Sequence, residues 1–536
     1  MIERISYLWP EIVLFIGACF TMVIGLSPSA PVRKQTGVVA GIFLVIAMAM
    51  AIATPRAPAW AILPGMMPFA KTLIAAIGLV LLLVITGTVD REEEAAIEGG
   101  KPFDPLRTTR AEFYSFFLFS LMGAMLVATA GDLILLFLAL ELTSLPTYVM
   151  VVLSGRGRGG FRRSQEAGVK YFFLGALGAA IFLYGFALLY GGTGTTRFVE
   201  MGAHFAAHGV GPIALTGMVV ALIGVSFKIA AVPMHFYTAD VYQGSSSAMA
   251  AFLAFVPKTA GMIAILTLAA ALGWGGEERA LPEAVDALLV AVAVLTMTVG
   301  NVLATLQSNV KRLLAYSSIA HSGYMLVGVV AGPGRGTFES NGIAAVLFYL
   351  LCYGVMNTGA FAVLACLERG GRDDAEEVEE IADLRGLCRT RPLLGWALVL
   401  CMLSLLGFPP ILGFFGKIPL FTSALGAGRV ALVVILAINS AIAAYYYLRV
   451  AMAAMLEPAD GAPVRGAGVP ARVTGAVISA GGVVVLAFLG DALMGASENA
   501  AELRVFVEGE TGPADAPEQP HADAGGHAAP LSPGDH

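Results

Sequence analysis

Four charged residues stand inside long apolar runs: Glu141 in LLFLALELTSLPTYV, Lys228 in VSFKIAAVP, Lys258 in AFVPKTAG and Lys417 in GFFGKIPLF. A charge near the centre of a bilayer costs about 2.5–3.5 kcal/mol on insertion scales, so each needs a partner or a use. Lysine suits one use in particular. Its compact ammonium can release a proton when buried, where arginine cannot. Three lysines against one glutamate cannot all be neutralised by pairing. The chemistry these types offer is the uptake and release of protons, or the passage of a cation. His321, in AYSSIAHSGYML, is a fifth candidate. With Ser317, Ser318 and Tyr324 it forms a polar stripe that can hold water and relay protons. For any one of these residues a structural cross-link or a hydrogen-bonded core position explains the charge as well. Four together, each near a proline, favour conduction.

Weaker candidates flank these. Lys170 lies one turn after Glu166 and either pairs with it or snorkels. Arg449 is a second snorkelling candidate. Tyr349, Tyr353, Asn357, Asn439 and Ser440 extend the polar stripe or serve as interhelical glue. In HFYTADVYQGSSS, His235 and Asp240 close a mouth or cap helices. The cysteines (Cys19, Cys352, Cys366, Cys388, Cys401) form no CxxC pair and no metal spacing, so no iron–sulfur cluster, haem or disulfide is expected. No Walker A sequence and no GxGxxG after a strand occur, which places any nucleotide chemistry on another chain.

The elements that must hold these residues are transmembrane helices. The 536 residues are 57% hydrophobic and 13% charged, against about 25% charged in soluble proteins. Mean hydropathy is +0.80. Apolar runs long enough to span recur at 7–26, 37–53, 71–89, 112–130, 132–153, 164–190, 212–235, 245–272, 284–306, 312–331, 342–366, 392–425, 429–455 and 472–493. The first reads as a retained helix, because its weakly basic start, Pro10 and Glu11 do not fit a signal peptide. The strongly basic balance of a nucleic-acid binder is absent. Each of the four charges has a proline within about two turns: Pro146, Pro233, Pro257 and Pro410. Proline bends or breaks a helix, and non-helical backbone at membrane depth must be buried or line a wet cavity. The twelfth run is longer than a bilayer requires and holds Gly407-Phe408-Pro409-Pro410. It predicts two half-helices with Lys417 just beyond the break, a transporter signature.

The seventh and twelfth spans each carry a lysine beside a break, five spans apart. A five-helix unit repeated twice has opposite orientation in the membrane, because five is odd. The expected fold is an all-α polytopic bundle of about fourteen spans with two inverted five-helix repeats and broken helices 7 and 12. Its segments are 1–111, repeats 112–272 and 284–455, a C-terminal helix within 456–498, and a disordered acidic tail 499–536. His521, His527 and His536 in the tail fit no standard metal spacing. Arg369–Pro392 carries Val378, Ile381 and Leu384 at helical spacing and predicts a short amphipathic surface helix.

LALELTSLPTYVM, EAGVKYFFLGALG, GVSFKIAAVPMHFYTADVYQGSSSAMAAFLAFVPKTAG, NVKRLLAYSSIAHSGYMLVG, LRGLCRTRPLLGWALVLCMLSLLGFPPILGFFGKIPLF and NSAIAAYYYLRV resemble the antiporter-like subunits of respiratory complex I. Among these the chain is most similar to subunit N of bacterial NADH:quinone oxidoreductase, from Asp-Val-Tyr-Gln-Gly after span seven and lysines at 258 and 417. It departs at Ser245-Ser246-Ser247 and in its acidic tail. The resemblance implies proton translocation driven by NADH oxidation and quinone reduction on other subunits, with no cofactor here; FMN, iron–sulfur clusters and quinone belong to partners. It implies an M-type neighbour, small K/J/A-type membrane subunits and a bacterial inner membrane. Glu141 would tune Lys228, which takes a proton from the cytoplasm; Lys258 and His321 would pass it to Lys417 near the periplasmic exit. The alternatives are a subunit of a multisubunit sodium/proton antiporter or membrane-bound hydrogenase, and a scaffold with vestigial charges.

Orientation follows from loop charge. One set of loops holds nineteen lysines and arginines, the opposite set eight. The richer set faces the cytoplasm, and an even span count puts both termini in the periplasm. A reporter active only in the periplasm should therefore be active when fused after Leu493 and silent near Glu377. The reverse pattern at either site means a miscounted span.

Overall fold

The computed structural model describes residues 5–55, 60–155, 160–274, 280–334, 340–369, 376–459 and 464–504. Backbone in hydrocarbon must satisfy its own polar groups, which leaves helices as the solution for runs of this kind. A helix stands at each of the fourteen apolar runs, from Trp9–Gly25 to Pro470–Phe488. Among the described residues eleven helices are long and apolar enough to cross a membrane, and Trp9–Gly25, Pro212–Ser226 and Pro392–Leu406 are shorter apolar helices. The chain is a mostly helical, multi-pass membrane protein. Its third helix runs Met66–Ile85 rather than 71–89. Lys71 had marked a loop in the sequence, yet it is buried inside this helix.

Two helices are broken. The seventh stops at Ser226, turns through 227–237 and resumes as Thr238–Gly244. The twelfth runs Pro392–Leu406, breaks, and resumes as Leu412–Gly426. Gly407 takes φ 88° at that break, a left-handed conformation that side chains disfavour. Pro146 and Pro257 do not break their helices, which run unbroken over Leu133–Leu153 and Ser247–Ala269. Proline near a buried charge is therefore a break at two of the four sites. The eighth helix is wholly buried, and the tenth and eleventh nearly so, at 94% each of their most apolar stretch. These three form the centre of the bundle.

Two helix starts carry the same local device. Asp132 caps the fifth helix, accepting from Leu135 N, and pairs in an antiparallel bridge with Arg197, just before the short helix Phe198–His208. Asn309 caps the tenth helix, accepting from Arg312 N, and bridges Glu380, just before the 3-10 turn Ile381–Leu384.

Among the described residues of Arg369–Pro392, the expected amphipathic helix through Val378, Ile381 and Leu384 is not formed. Strand Leu367–Arg369 pairs antiparallel with Glu376–Glu377 and with Arg465–Gly466, and the 3-10 turn follows. The segment is held by its neighbours: Val310 N bonds Glu379 O at 2.6 Å, and Lys311 pairs with Glu377. Val378 and Leu384 are buried, as their spacing suggested, but as anchors of an extended segment.

The sixth helix, Gly160–Thr193, and the first half of the seventh meet backbone to backbone. A Cβ at Gly185 would lie 2.4 Å from Ala221 N, at Gly217 2.7 Å from Leu189 N, and at Gly224 2.4 Å from Phe182 N. Lipid gives helices no hydrophobic reason to associate, so small residues that allow close approach decide the docking. Gly185→Leu should destabilise the purified protein by about 1–3 kcal/mol or more. A thermal-unfolding midpoint unchanged from the parent would show that this contact does not set the packing.

Candidate functional site

Lys228 sits in the turn after Ser226, where no helix occupies its backbone. Its Nζ donates to Glu141 Oε1 at 2.9 Å and to Ser144 Oγ at 2.7 Å. Glu141 and Ser144 are one turn apart on the fifth helix and so share a face. The lysine side chain is 2% exposed and the glutamate 18%. The break around Lys228 is satisfied locally and from afar. Ala231 N bonds Ser226 O at 2.9 Å and Tyr237 Oη donates to Phe227 O at 2.9 Å. Val232 N donates to Thr296 Oγ1 at 3.0 Å, and Ser322 Oγ donates to Ile229 O at 2.6 Å. The eighth helix is seated on the break through Gly261, where a Cβ would lie 2.7 Å from Lys228 Cβ.

Lys258, three residues before Gly261 on that helix, turns to the tenth. Its Nζ donates to Ser318 O, and to Ser318 Oγ at 2.5 Å. Tyr353 Oη donates to Ser318 Oγ at 2.8 Å, and its ring centroid is 5.0 Å from the ammonium. His321 follows three residues after Ser318. Its Nδ1 meets Tyr349 Oη at 2.6 Å and its Nε2 meets Tyr447 Oη at 2.8 Å. Tyr447 also bonds Ser317. The imidazole also meets the Tyr324 ring, with centroids 5.4 Å apart.

Lys417 closes the line. Its Nζ donates to Leu406 O at 2.8 Å, a carbonyl freed by the break in its own helix. It lies 5.3 Å from the Tyr324 ring centroid. Tyr324 Oη accepts from Asn301 Nδ2 at 2.8 Å, and Asn301 also meets Asn439 at 3.2 Å and Tyr446 at 2.9 Å. The five predicted residues thus fall on one line crossing the bundle from the fifth helix to the twelfth. Among the described ion pairs only Lys228 of the three lysines has a carboxylate. Lys258 and Lys417 are held by neutral oxygens and aromatic faces. A lysine with neutral acceptors can lose its proton without leaving an unpaired buried anion behind, which is the costly outcome when one member of an ion pair is lost.

The weaker candidates divide. Lys170 does pair with Glu166, at 2.8 Å, and also with Asp240 at 3.0 Å. Asp240 takes Arg312 at 2.7 Å, so it ties three helices at one end of the bundle. Arg449 reaches the carbonyls of Thr305 and Gln307. His235 lies beside the break against Phe236. Asn357 is buried, and its side chain has no hydrogen-bond partner among the described residues. Sequence reasoning did not single out Ser144, Asn301, Tyr446 and Tyr447, whose types are common in helix interfaces. It also missed the pair of Lys71 with Glu11 at 2.7 Å, both buried. Glu11 inside the first apolar run was its one visible signal. Among the described residues no group of three His, Cys, Asp or Glu could hold a metal. The tail histidines lie outside the described residues.

Residues 130–443 match the family model described as NADH:quinone oxidoreductase/Mrp antiporter, TM. The chain is 44% identical over 354 residues to the NADH-quinone oxidoreductase subunit N of Trichlorobacter lovleyi, covering 65% of this chain and 68% of the relative. It is 34% identical over 528 residues to that of Myxococcus xanthus, covering 92% and 97%. Its fold matches a chain of the respiratory complex I from Thermus thermophilus, with a TM-score of 0.72, 32% identity, and coverage of 91% and 98%.

Proposed function

We propose a mechanism from a settled premise: the chain belongs to the family of NADH-quinone oxidoreductase subunit N. It is a proton-translocating, antiporter-like membrane subunit of the NADH:quinone oxidoreductase, a translocase. Its partners are other membrane subunits of that complex. In our reading the redox chemistry, with NADH, FMN, iron–sulfur clusters and quinone, lies on partner subunits, and an M-type subunit and small K/J/A-type subunits adjoin this one. The membrane is a bacterial inner membrane, and both termini face the periplasm. Loop charge supports that orientation, because basic residues gather at the end where Arg312, Lys170, Lys311 and Arg163 pair with acidic partners.

The observation that carries the mechanism is the line Glu141–Lys228, Lys258–Ser318, His321, Lys417. Lys228 takes a proton from the cytoplasmic side while Glu141 favours its charged form. Loss of that pairing lets the proton pass toward Lys258 and the His321 cluster, and then to Lys417 beside the second break. The bridges at Asp132–Arg197 and Asn309–Glu380, each after the third helix of its half, support two inverted five-helix units at 112–272 and 284–455. Lys228 and Lys417 are then corresponding residues of two half-paths. The segments 1–111, 456–498 and 499–536 lie outside these units.

Lys228→Ala should leave the complex assembled and lower proton pumping and coupled NADH:quinone turnover by roughly ten-fold or more. A normal H⁺/e⁻ ratio and rate in assembled complex would remove Lys228 from the path. Lys417→Arg should be comparably harmful, since arginine keeps the charge and cannot release the proton. Full activity there would make Lys417 a structural cation. Glu141→Gln should impair pumping and Glu141→Asp should restore part of it. Equal activity of both with the parent would take Glu141 out of the path.

A further inference from the structure

At the basic end of the bundle a polar pocket of about 210 Å³ opens between the loop 376–380, the start of the sixth helix and the starts of the eighth and tenth. Ser245, Ser246, Lys311 and Glu377 line it, with Glu379 and Arg163 nearer the rim. The Lys311 and Glu377 side chains are only 3% and 9% exposed, whereas Glu379 is 27% and Arg163 69% exposed. Glu377 Oε2 accepts from Ser247 N and Ser247 Oγ, each at 2.8 Å, and from Lys311 Nζ at 3.4 Å. Lys311 Nζ also donates to Ser245 O at 3.0 Å. A buried carboxylate and a buried ammonium therefore meet at the floor of a pocket open to water.

Two helices run inward from that floor. Ser247 begins the eighth, and Lys258 lies eleven residues on. Eleven residues are about three turns, so Lys258 stands on the face of Ser247, about 16 Å deeper. Lys311 is in the first turn of the tenth, and Ser318 lies seven residues on. Seven residues are about two turns, so Ser318 stands below Lys311, about 10 Å deeper. Ser318 holds Lys258. Tyr242, itself buried, stands on the short helix Thr238–Gly244, which packs against both the eighth and the tenth helix. Both helices thus run from the pocket toward Lys258, one of the two central lysines that have no carboxylate partner among the described residues.

We propose that Glu377, positioned by Lys311, is a proton-loading group through which Lys258 exchanges with the cytoplasm, a second entry separate from Lys228. The inference rests on the proton-path reading above. The carboxylate takes a proton from water in the pocket, which weakens its hold on Lys311. The proton then moves by way of water and the Tyr242 and Ser318 hydroxyls to the neutral amine of Lys258, and the Glu377 carboxylate is regenerated.

A purely structural role and a loading role rank two substitutions in opposite order. Glu377→Gln keeps length and an oxygen for Ser247, but cannot carry a proton. Glu377→Asp keeps the carboxyl group and shortens its reach. In inside-out vesicles carrying the complete complex, loading predicts that Glu377→Gln lowers pumping and coupled turnover roughly ten-fold, while Glu377→Asp keeps about a third or more. A structural latch predicts the reverse, with Glu377→Gln near the parent and Glu377→Asp poorly assembled. That order, or Glu377→Gln within about two-fold of the parent, overturns the proposal. Lys258→Ala in the same vesicles separates the two readings. If it is inactive while Glu377→Gln is normal, only the loading assignment falls. If Lys258→Ala pumps normally, the central path itself is wrong.

Discussion

An ammonium group in an apolar bundle must be given oxygen atoms, and this need shapes the centre of the molecule. The desolvation of a buried charge amounts to several kcal/mol even after relaxation. Lys228 meets it with Glu141 and Ser144, and Lys417 with the Leu406 carbonyl. Lys258 meets it with the two oxygens of Ser318. For Lys417 the break in the twelfth helix is the means, whereas Lys228 and Lys258 take their oxygens from the unbroken fifth and tenth helices. A regular helix spends its carbonyls on itself, whereas an unwound turn leaves them for a neighbour. Gly407 makes the second turn possible, and a Cβ there would crowd the Lys417 side chain at 3.0 Å.

The protein also contains ion pairs of another kind. Lys71 donates to Glu11 and to Tyr7 O, and Glu11 accepts from Thr129. Arg33 binds Glu94 through two nitrogens and covers Phe103. Burial pushes the Glu94 carboxyl up, but its bonds to Arg33 and the charges of Arg110, Arg33 and Lys34 outweigh this and hold it below the ordinary range. These pairs tie the first three helices and their loops to one another with complementary charge on both sides. The central lysines differ in outnumbering the carboxylates that meet them among the described residues.

Much of this was legible in the sequence because hydrocarbon permits so few backbone solutions. The fourteen runs and the broken seventh and twelfth helices followed from hydropathy and from glycine and proline. Glu141, Lys228, Lys258 and Lys417 were visible as charges where charges are costly, and His321 through its polar neighbours. What stayed hidden depends on which helix faces which. Tyr447 sits in a run of three tyrosines, and no periodicity says which of them reaches His321. Lys71 lay near enough to an apparent loop to pass as a surface charge, although it is fully buried. Val378 and Leu384 had the spacing of an amphipathic helix. Their backbone was claimed instead by pairing with residues about 70 positions earlier at Asn309 and Val310, which no local pattern encodes.

The break at 227–237 has a bearing on how the chain is made. Its polar backbone is completed by Thr296 on the ninth helix and Ser322 on the tenth. Both residues come later in the chain than the break and the eighth helix. Until they arrive, Val232 N and Ile229 O lack these partners at a depth where lipid offers none. The first half is therefore a nascent chain with an unfinished middle, finished by the second half as it inserts. Completion of the Lys228 site is thereby tied to the arrival of the helix that carries His321.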